Sequence, residues 1–200
     1  MRASDKVKSA PISFVPAITL AVICLVCALL LAGTYELTRD AISEQEAQAA
    51  KNRMIAIFPD GNQFKEVRIE EDLKAQLISD GCACEEIHEA LDSDGNRMGY
   101  IIVSRSFGYA GDIIVTSGFL PDGSIVHVIV TAPDETPKLG KEVEEKYFTD
   151  RFSGVSAGDH AENCVDMISG ATISSKAVCT AFNKAVETFR TLSEKGVIGS

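Results

Sequence analysis

The order of hydrophobic and polar positions divides the chain into segments of different period. From Ile12 to Thr34 the sequence is apolar without interruption, and no charge occurs between Ser9 and Tyr35. As a helix these 23 residues reach about 34 Å, enough for a hydrocarbon core of about 30 Å. A secretory signal has a shorter apolar core, about 7–15 residues, and a small-x-small cleavage site. "ALLLAGTYE" offers no such site, and no cysteine follows to carry a lipid. Pro11 and Pro16 lie near the start, where proline is tolerated. The pattern predicts a retained transmembrane helix over residues 12–34, preceded by a short segment, 1–11.

The period changes after Tyr35. Through Phe58 the chain is rich in Ala, Glu, Gln and Arg, all good helix formers, and Pro59, Asp60 and Gly61 stop it. This predicts a juxtamembrane helix or stalk within residues 35–60 that continues the membrane helix. "EVRIEEDLKAQLISDG" is mixed and fixes no element. Three β-branched runs follow, "RMGYIIVSRSF", "DIIVTSGFL" and "SIVHVIVT", separated by the glycine-bearing turns "GYAG" and "PDGS". Short turns of this kind predict an antiparallel meander. "APDETPKLG" reads as a loop and "KEVEEKYFTDRF" as helix. From Ser174 onward, Ala177, Val178, Ala181, Phe182, Ala185, Val186, Phe189 and Leu192 fall on one helical face. Ser174 or Ser175 is the predicted N-cap. Residues 61–200 therefore read as one α+β domain behind a single transmembrane helix.

Charge adds a direction. The 200 residues carry a net charge of −10 and no basic stripe, which argues against a nucleic-acid partner. Residues 1–34 hold Arg2, Lys6 and Lys8 against Asp5, so the basic end precedes the span and the acidic bulk follows it. The positive-inside rule then puts the N-terminus in the cytoplasm and the domain outside it.

Several motifs fail on spacing. "DSDGN" (92–96) has its glycine in the fourth rather than the sixth place of a calcium loop and lacks the closing Glu; its composition is that of a turn. Cys82-x-Cys84 with His88 nearby lacks a fourth ligand, so a strained disulfide or two thiols are expected rather than a metal site. Cys24 and Cys27 share a face of the span and read as small apolar packing residues, or as neighbours of a redox centre supplied by other membrane helices. Cys179 falls beside the apolar face of the last helix and is expected to be buried. His88, His127 and His160 are scattered, without readable partners.

"DMISGATISSKAV", Asp166 to Val178, remains. One reading is an acidic turn leading into a capped helix. The other is an attachment site. A helix N-terminus favours phosphate. Gly170 and Ala171 let a bulky group approach, Thr172 offers a hydroxyl, and Lys176 lies one turn on to offset negative charge. On these residues alone both readings stand.

"DMISGAT" resembles the flavinylation motif Asp-x-x-Ser/Thr-Gly-Ala-Thr/Ser, with Asp166, Ser169, Gly170, Ala171 and Thr172 in its fixed places. "GYAGDIIV" is similar to the Gly-Tyr-Gly-Gly turn of the same family, with Ala110 in place of a glycine. "ETPKLG" (135–140) is similar to its Glu-Thr-Pro-Gly-Leu-Gly loop, with Lys138 in place of a glycine, and "FTDRF" (148–152) also fits. With the single membrane helix, the chain resembles the G subunits of Rnf electron-transport complexes, and more distantly the C subunits of sodium-pumping NADH:quinone reductases.

The resemblance implies FMN joined through its phosphate to Thr172 by a flavin transferase. It implies an electron-carrying role without independent catalysis, in a complex that couples electron flow between ferredoxin and NAD to ion pumping. Membrane and iron–sulfur subunits would be its partners. Asp166 would assist the attachment or hold the turn, Ser169 and the amides after Thr172 would hold the phosphate, and Ser174 and Lys176 would also belong to the cofactor-binding residues. Glu135, Thr136, Leu139 and Gly140 would line the flavin. The competing readings are a flavinylated extracytoplasmic electron carrier of another kind, and an anchored binding or sensor module without a redox group.

Overall fold

A computed structural model describes residues 14–79, 81–82, 84–155 and 160–198. The predicted cytoplasmic segment and the first residues of the predicted span lie outside the described residues. The chain divides into two compact units, Met1–Ala49 and Ala50–Ser200.

The first unit is one helix as far as it is described. The predicted span and stalk form a single helix, α1 (Val15–Ile57), long and apolar enough to cross a membrane. Its large apolar side chains from Val15 to Leu37 are exposed all round, which water would not tolerate and lipid would. Its hydroxyls are satisfied within the helix: Thr19 Oγ1 donates to Val15 O at 2.9 Å and Thr34 Oγ1 to Leu30 O at 3.0 Å.

The second unit is built on a five-stranded antiparallel meander in sequence order. Its strands are β1 (Gln63–Glu66), β2 (Cys84–Leu91), β3 (Arg97–Phe107), β4 (Asp112–Phe119) and β5 (Ile125–Thr131). The three β-branched runs are β3, β4 and β5, as their composition predicts. β1 and β2 lie in stretches that fixed no strand, because β2 carries Glu85, Glu86 and Glu89 and borrows its order from pairing with β3. The unassigned "EEDLKAQLIS" contains a short helix, α2 (Glu71–Ser79). "KEVEEKYFTDRF" is not one helix: a 3-10 turn at Gly140–Glu144, a single α turn α3 (Lys146–Thr149) and a second 3-10 turn at Asp150–Gly154 follow one another. These turns bury Val143, Phe148 and Phe152 at irregular spacing, so no single helical face would have served.

A further short turn, α4 (Ala161–Cys164), precedes the long C-terminal helix α5 (Thr172–Glu194). α5 lies on one face of the sheet. Phe189 stacks on Phe119 at 4.9 Å between ring centres, Phe182 meets Phe152 at 4.9 Å, and Ser104 Oγ donates to Ala181 O at 2.7 Å. The opposite sheet face takes the last turn of α1. Met54, Ile57 and Phe58 pack on Ala90 and Ile101. Gly118 makes room for them, since a Cβ there would overlap Ile57 Cγ2.

Candidate cofactor-binding site

The sequence expectation for the helix start is corrected by one turn. α5 begins at Thr172 with Ala171 as N-cap, and neither Ser174 nor Ser175 caps it. The two serines are used elsewhere. Ser175 Oγ accepts a hydrogen bond from Ile168 N at 3.1 Å and so braces the turn that precedes the helix. Ser174 Oγ donates to Glu135 Oε2 at 2.9 Å. The first intrahelical bond runs from Ser175 N to Ala171 O at 2.9 Å. The amides of Thr172, Ile173 and Ser174 therefore have no carbonyl one turn back, no side chain caps them, and no acidic residue stands in the first turn. With 23 residues behind it, this helix end is a place where negative charge is favoured.

Gly170 sets up the turn with φ +84°, a left-handed conformation that costs glycine little. Ala171 N donates to Ile168 O at 3.0 Å, and Arg151 donates to Asp166 O at 2.8 Å, fixing the beginning of the motif. Thr172 is exposed at the first helical position.

The wall opposite this helix end is organised by one buried carboxylate. Glu135 is 2% exposed. Its Oε1 accepts from Tyr109 N at 2.6 Å and Ala110 N at 3.2 Å, and its Oε2 accepts from Ser174 Oγ. Glu135 thus ties the β3–β4 turn, its own loop and the first turn of α5 together. The fit is close: a Cβ at Gly140 would overlap Oε2, and one at Gly108 would overlap Oε1. Lys138 holds the left-handed turn of this loop at φ 61°, although it is not glycine.

Between these walls lies a cleft of about 510 Å³, within the size range of small-molecule sites. Of the predicted site residues, Glu135, Thr136, Leu139, Gly140, Gly170, Ala171, Thr172 and Ser174 line it; Tyr109 and Ile173 complete the lining. Asp166, Ser169 and Lys176 are exposed and are not part of the lining. Asp166 instead contributes its backbone carbonyl to the brace from Arg151. In the sequence Tyr109 is legible only as part of a turn; the additional signal is an aromatic residue between two glycines, where a turn needs none.

The sequence profile of the FMN-binding domain family matches residues 108–187, which contain the whole cleft, and that of the RnfG N-terminal region matches residues 14–57. The G subunit of an ion-translocating oxidoreductase complex from Methanosarcina acetivorans is 33% identical over 85% of this chain and 90% of its own length. The chain belongs to the family of G subunits of ion-translocating oxidoreductase complexes. The G subunit of the Na(+)-translocating ferredoxin:NAD(+) oxidoreductase complex of Acetobacterium woodii is 28% identical over 86% of this chain and 89% of its own. That of the proton-translocating complex of Clostridium ljungdahlii is 24% identical over 87% and 90%. The two profile matches together take in both the apolar helix and the cleft domain.

Proposed function

We propose that this chain is the electron-carrying G subunit of a membrane ion-translocating ferredoxin:NAD oxidoreductase, with FMN held by a phosphoester to Thr172. The single observation that carries the attachment is the exposed hydroxyl of Thr172 on the first residue of an uncapped helix, in the wall of a cleft. The residues fit the group at both of its ends. A phosphate ester at Thr172 meets the open amides of the helix start. A flat ring meets Tyr109, Leu139 and Ile173, which are 67%, 45% and 56% exposed and otherwise have little to cover them. When bound, FMN supplies the acceptance and release of electrons; the protein contributes attachment, orientation and electrostatics.

Ser174 contributes to the phosphate site through its backbone. Its hydroxyl proton goes to Glu135, so its backbone amide rather than its side chain faces the phosphate. Lys176, one turn into α5, supplies a compensating positive charge. Asp166 and Ser169 stand on the exposed side of the turn, where a flavin transferase has access to them. The other partners are the membrane and iron–sulfur subunits of the complex. The N-terminus lies in the cytoplasm and the flavin domain outside it, on the strength of Arg2, Lys6 and Lys8 ahead of the span.

The test is co-expression of the full chain with a flavin transferase. Intact mass should rise by FMN less one water, and a denaturing gel should show a fluorescent band. Thr172→Val should abolish both while leaving the fold intact. A fluorescent Thr172→Val band would move the attachment elsewhere. No adduct on the wild-type chain would favour an anchored module without a redox group.

A further inference from the structure

Tyr109 is the residue of the cleft that its surroundings explain least. It sits at the tip of the β3–β4 turn, 67% exposed, on a chain whose fully buried aromatics all pack in the core. Its backbone is nevertheless held firmly. Gly108 N donates to Gly111 O at 2.8 Å across the turn, and Tyr109 N donates to the buried Glu135 at 2.6 Å. The same carboxylate receives the hydroxyl of Ser174, two residues beyond Thr172. An exposed aromatic on a rigid turn is thereby fixed relative to the helix end that carries the acceptor hydroxyl, and both line one cleft. Nothing in the fold requires that side chain to be aromatic.

We propose that Tyr109 is the aromatic face against which the flavin ring lies, and that Glu135 is the positioning residue that holds it there. The inference rests on the reading of Thr172 as the attachment site. Offset stacking of two aromatic systems strengthens the contact beyond what burial alone provides. It also has an optical consequence. A phenol in contact with an excited flavin gives it one electron and takes it back, so emission is lost with no net chemistry. A phenyl ring of the same shape does not donate in this way.

The two readings separate in one experiment on the full flavinylated chain in detergent. Fluorescence in a denaturing gel reports attachment alone; native emission, normalised to it, reports the contact. Wild-type native emission should be strongly quenched and should rise several-fold on denaturation. Tyr109→Phe should raise native emission several-fold at unchanged gel fluorescence, and Tyr109→Ala should do so at least as much. Glu135→Gln keeps an oxygen for the two amides and an NH2 for Ser174 Oγ, so its emission should stay quenched. Glu135→Ala releases the turn and should brighten the native protein. If it does not fold, Glu135→Asp, one methylene too short to reach both the turn amides and Ser174, takes its place and should brighten it likewise; a folded Glu135→Asp protein as quenched as wild type would overturn the positioning. Tyr109→Phe and Tyr109→Ala emission equal to wild type, at equal attachment, would overturn the stacking. A Glu135→Ala protein that folds and stays as quenched as wild type would overturn the positioning. Absence of gel fluorescence in every variant, wild type included, would instead remove the attachment reading beneath it.

Discussion

The two long helices of this chain meet the problem of burial in opposite ways. α1 is 43 residues long and buries only Met54 and Ile57, both in its last turn. α5 is 23 residues long and buries twelve of them. The difference is written in pattern rather than in composition. α1 is apolar on every side through its first half and has no polar face to turn toward water, so its surroundings must be apolar. α5 carries one apolar stripe and spends it on the sheet, with Ser104, Cys82 and Glu135 taking its few buried polar contacts. Thr172 begins the helix that the core grips, not the one that lipid surrounds. A redox group attached there, as proposed, would inherit the stiffness of the domain.

The largest expected effect contrasts these helices directly. Phe182 is fully buried and touches Phe152, so Phe182→Ala should cost the domain about 3–5 kcal/mol. Leu25, 61% exposed on α1, should leave the domain's stability unchanged when replaced by Ala. Thermal unfolding of both full-length variants in detergent, followed by circular dichroism, checks the pair. An equal loss from Leu25→Ala would mean that α1 shares the core of the domain.

A smaller effect lies at the point where α5 meets the cleft. Gly140→Ala would drive a Cβ into Glu135 Oε2. The carboxylate would have to swing away, losing the bond from Ser174 and straining those from Tyr109 and Ala110. A destabilisation of about 1–3 kcal/mol is expected from the orphaned groups. Covalent flavin should fall with it, because the start of α5 loses its anchor. Denaturation midpoints and gel fluorescence measure the two losses. Wild-type values for both would show that the loop has room to relax.

The contrast between the helices also explains what can be read from sequence. A helix with a strict stripe, a span without charge and three β-branched runs each declare their element in local sequence; the runs of β3 and β4 are continuous because both faces of the sheet are covered there. β2 does not. Its three glutamates conceal a strand whose order comes from its neighbour, with Glu86 paired to Val103 and Ile87 to Ile102. The 3-10 and α turns between Gly140 and Gly154 read as one helix in the sequence because their apolar residues are dense, though their spacing is irregular. At the site, the motif identifies the residue with the hydroxyl, Thr172, but local pattern places the helix start at Ser174 or Ser175. Hydroxyl residues make good caps, and nothing local shows that one of them binds a glutamate 39 positions away. The bonds of Glu135 to Tyr109, Ala110 and Ser174 are long-range contacts of this kind: they exist only once the loop, the turn and the helix have met.

Cysteines on both helices allow the same contrast to be drawn by chemistry. Cys179 of α5 is fully buried, and that burial, with Glu162 nearby as a lesser influence, pushes its thiol up to about 12. An unfolded thiol ionises near 9.0. The folded state therefore binds the proton more tightly, and its stability is undiminished below pH 9 and falls as pH rises from there toward 12. At about pH 10 the loss approaches about 1 kcal/mol. A chain retaining Cys179 alone should resist a water-soluble maleimide at neutral pH and react fully once denatured. A chain retaining only Cys24 and Cys27, which are exposed on α1, should behave differently. In membranes these two thiols should ignore the water-soluble reagent yet react with a lipid-permeant one without any unfolding. Cys179 shielded by the fold and Cys24 and Cys27 shielded by lipid then give opposite answers to the permeant reagent. If Cys179 reacts with it in the native state as fast as Cys24 and Cys27 do, α5 is not the sealed helix that the proposed flavin attachment requires.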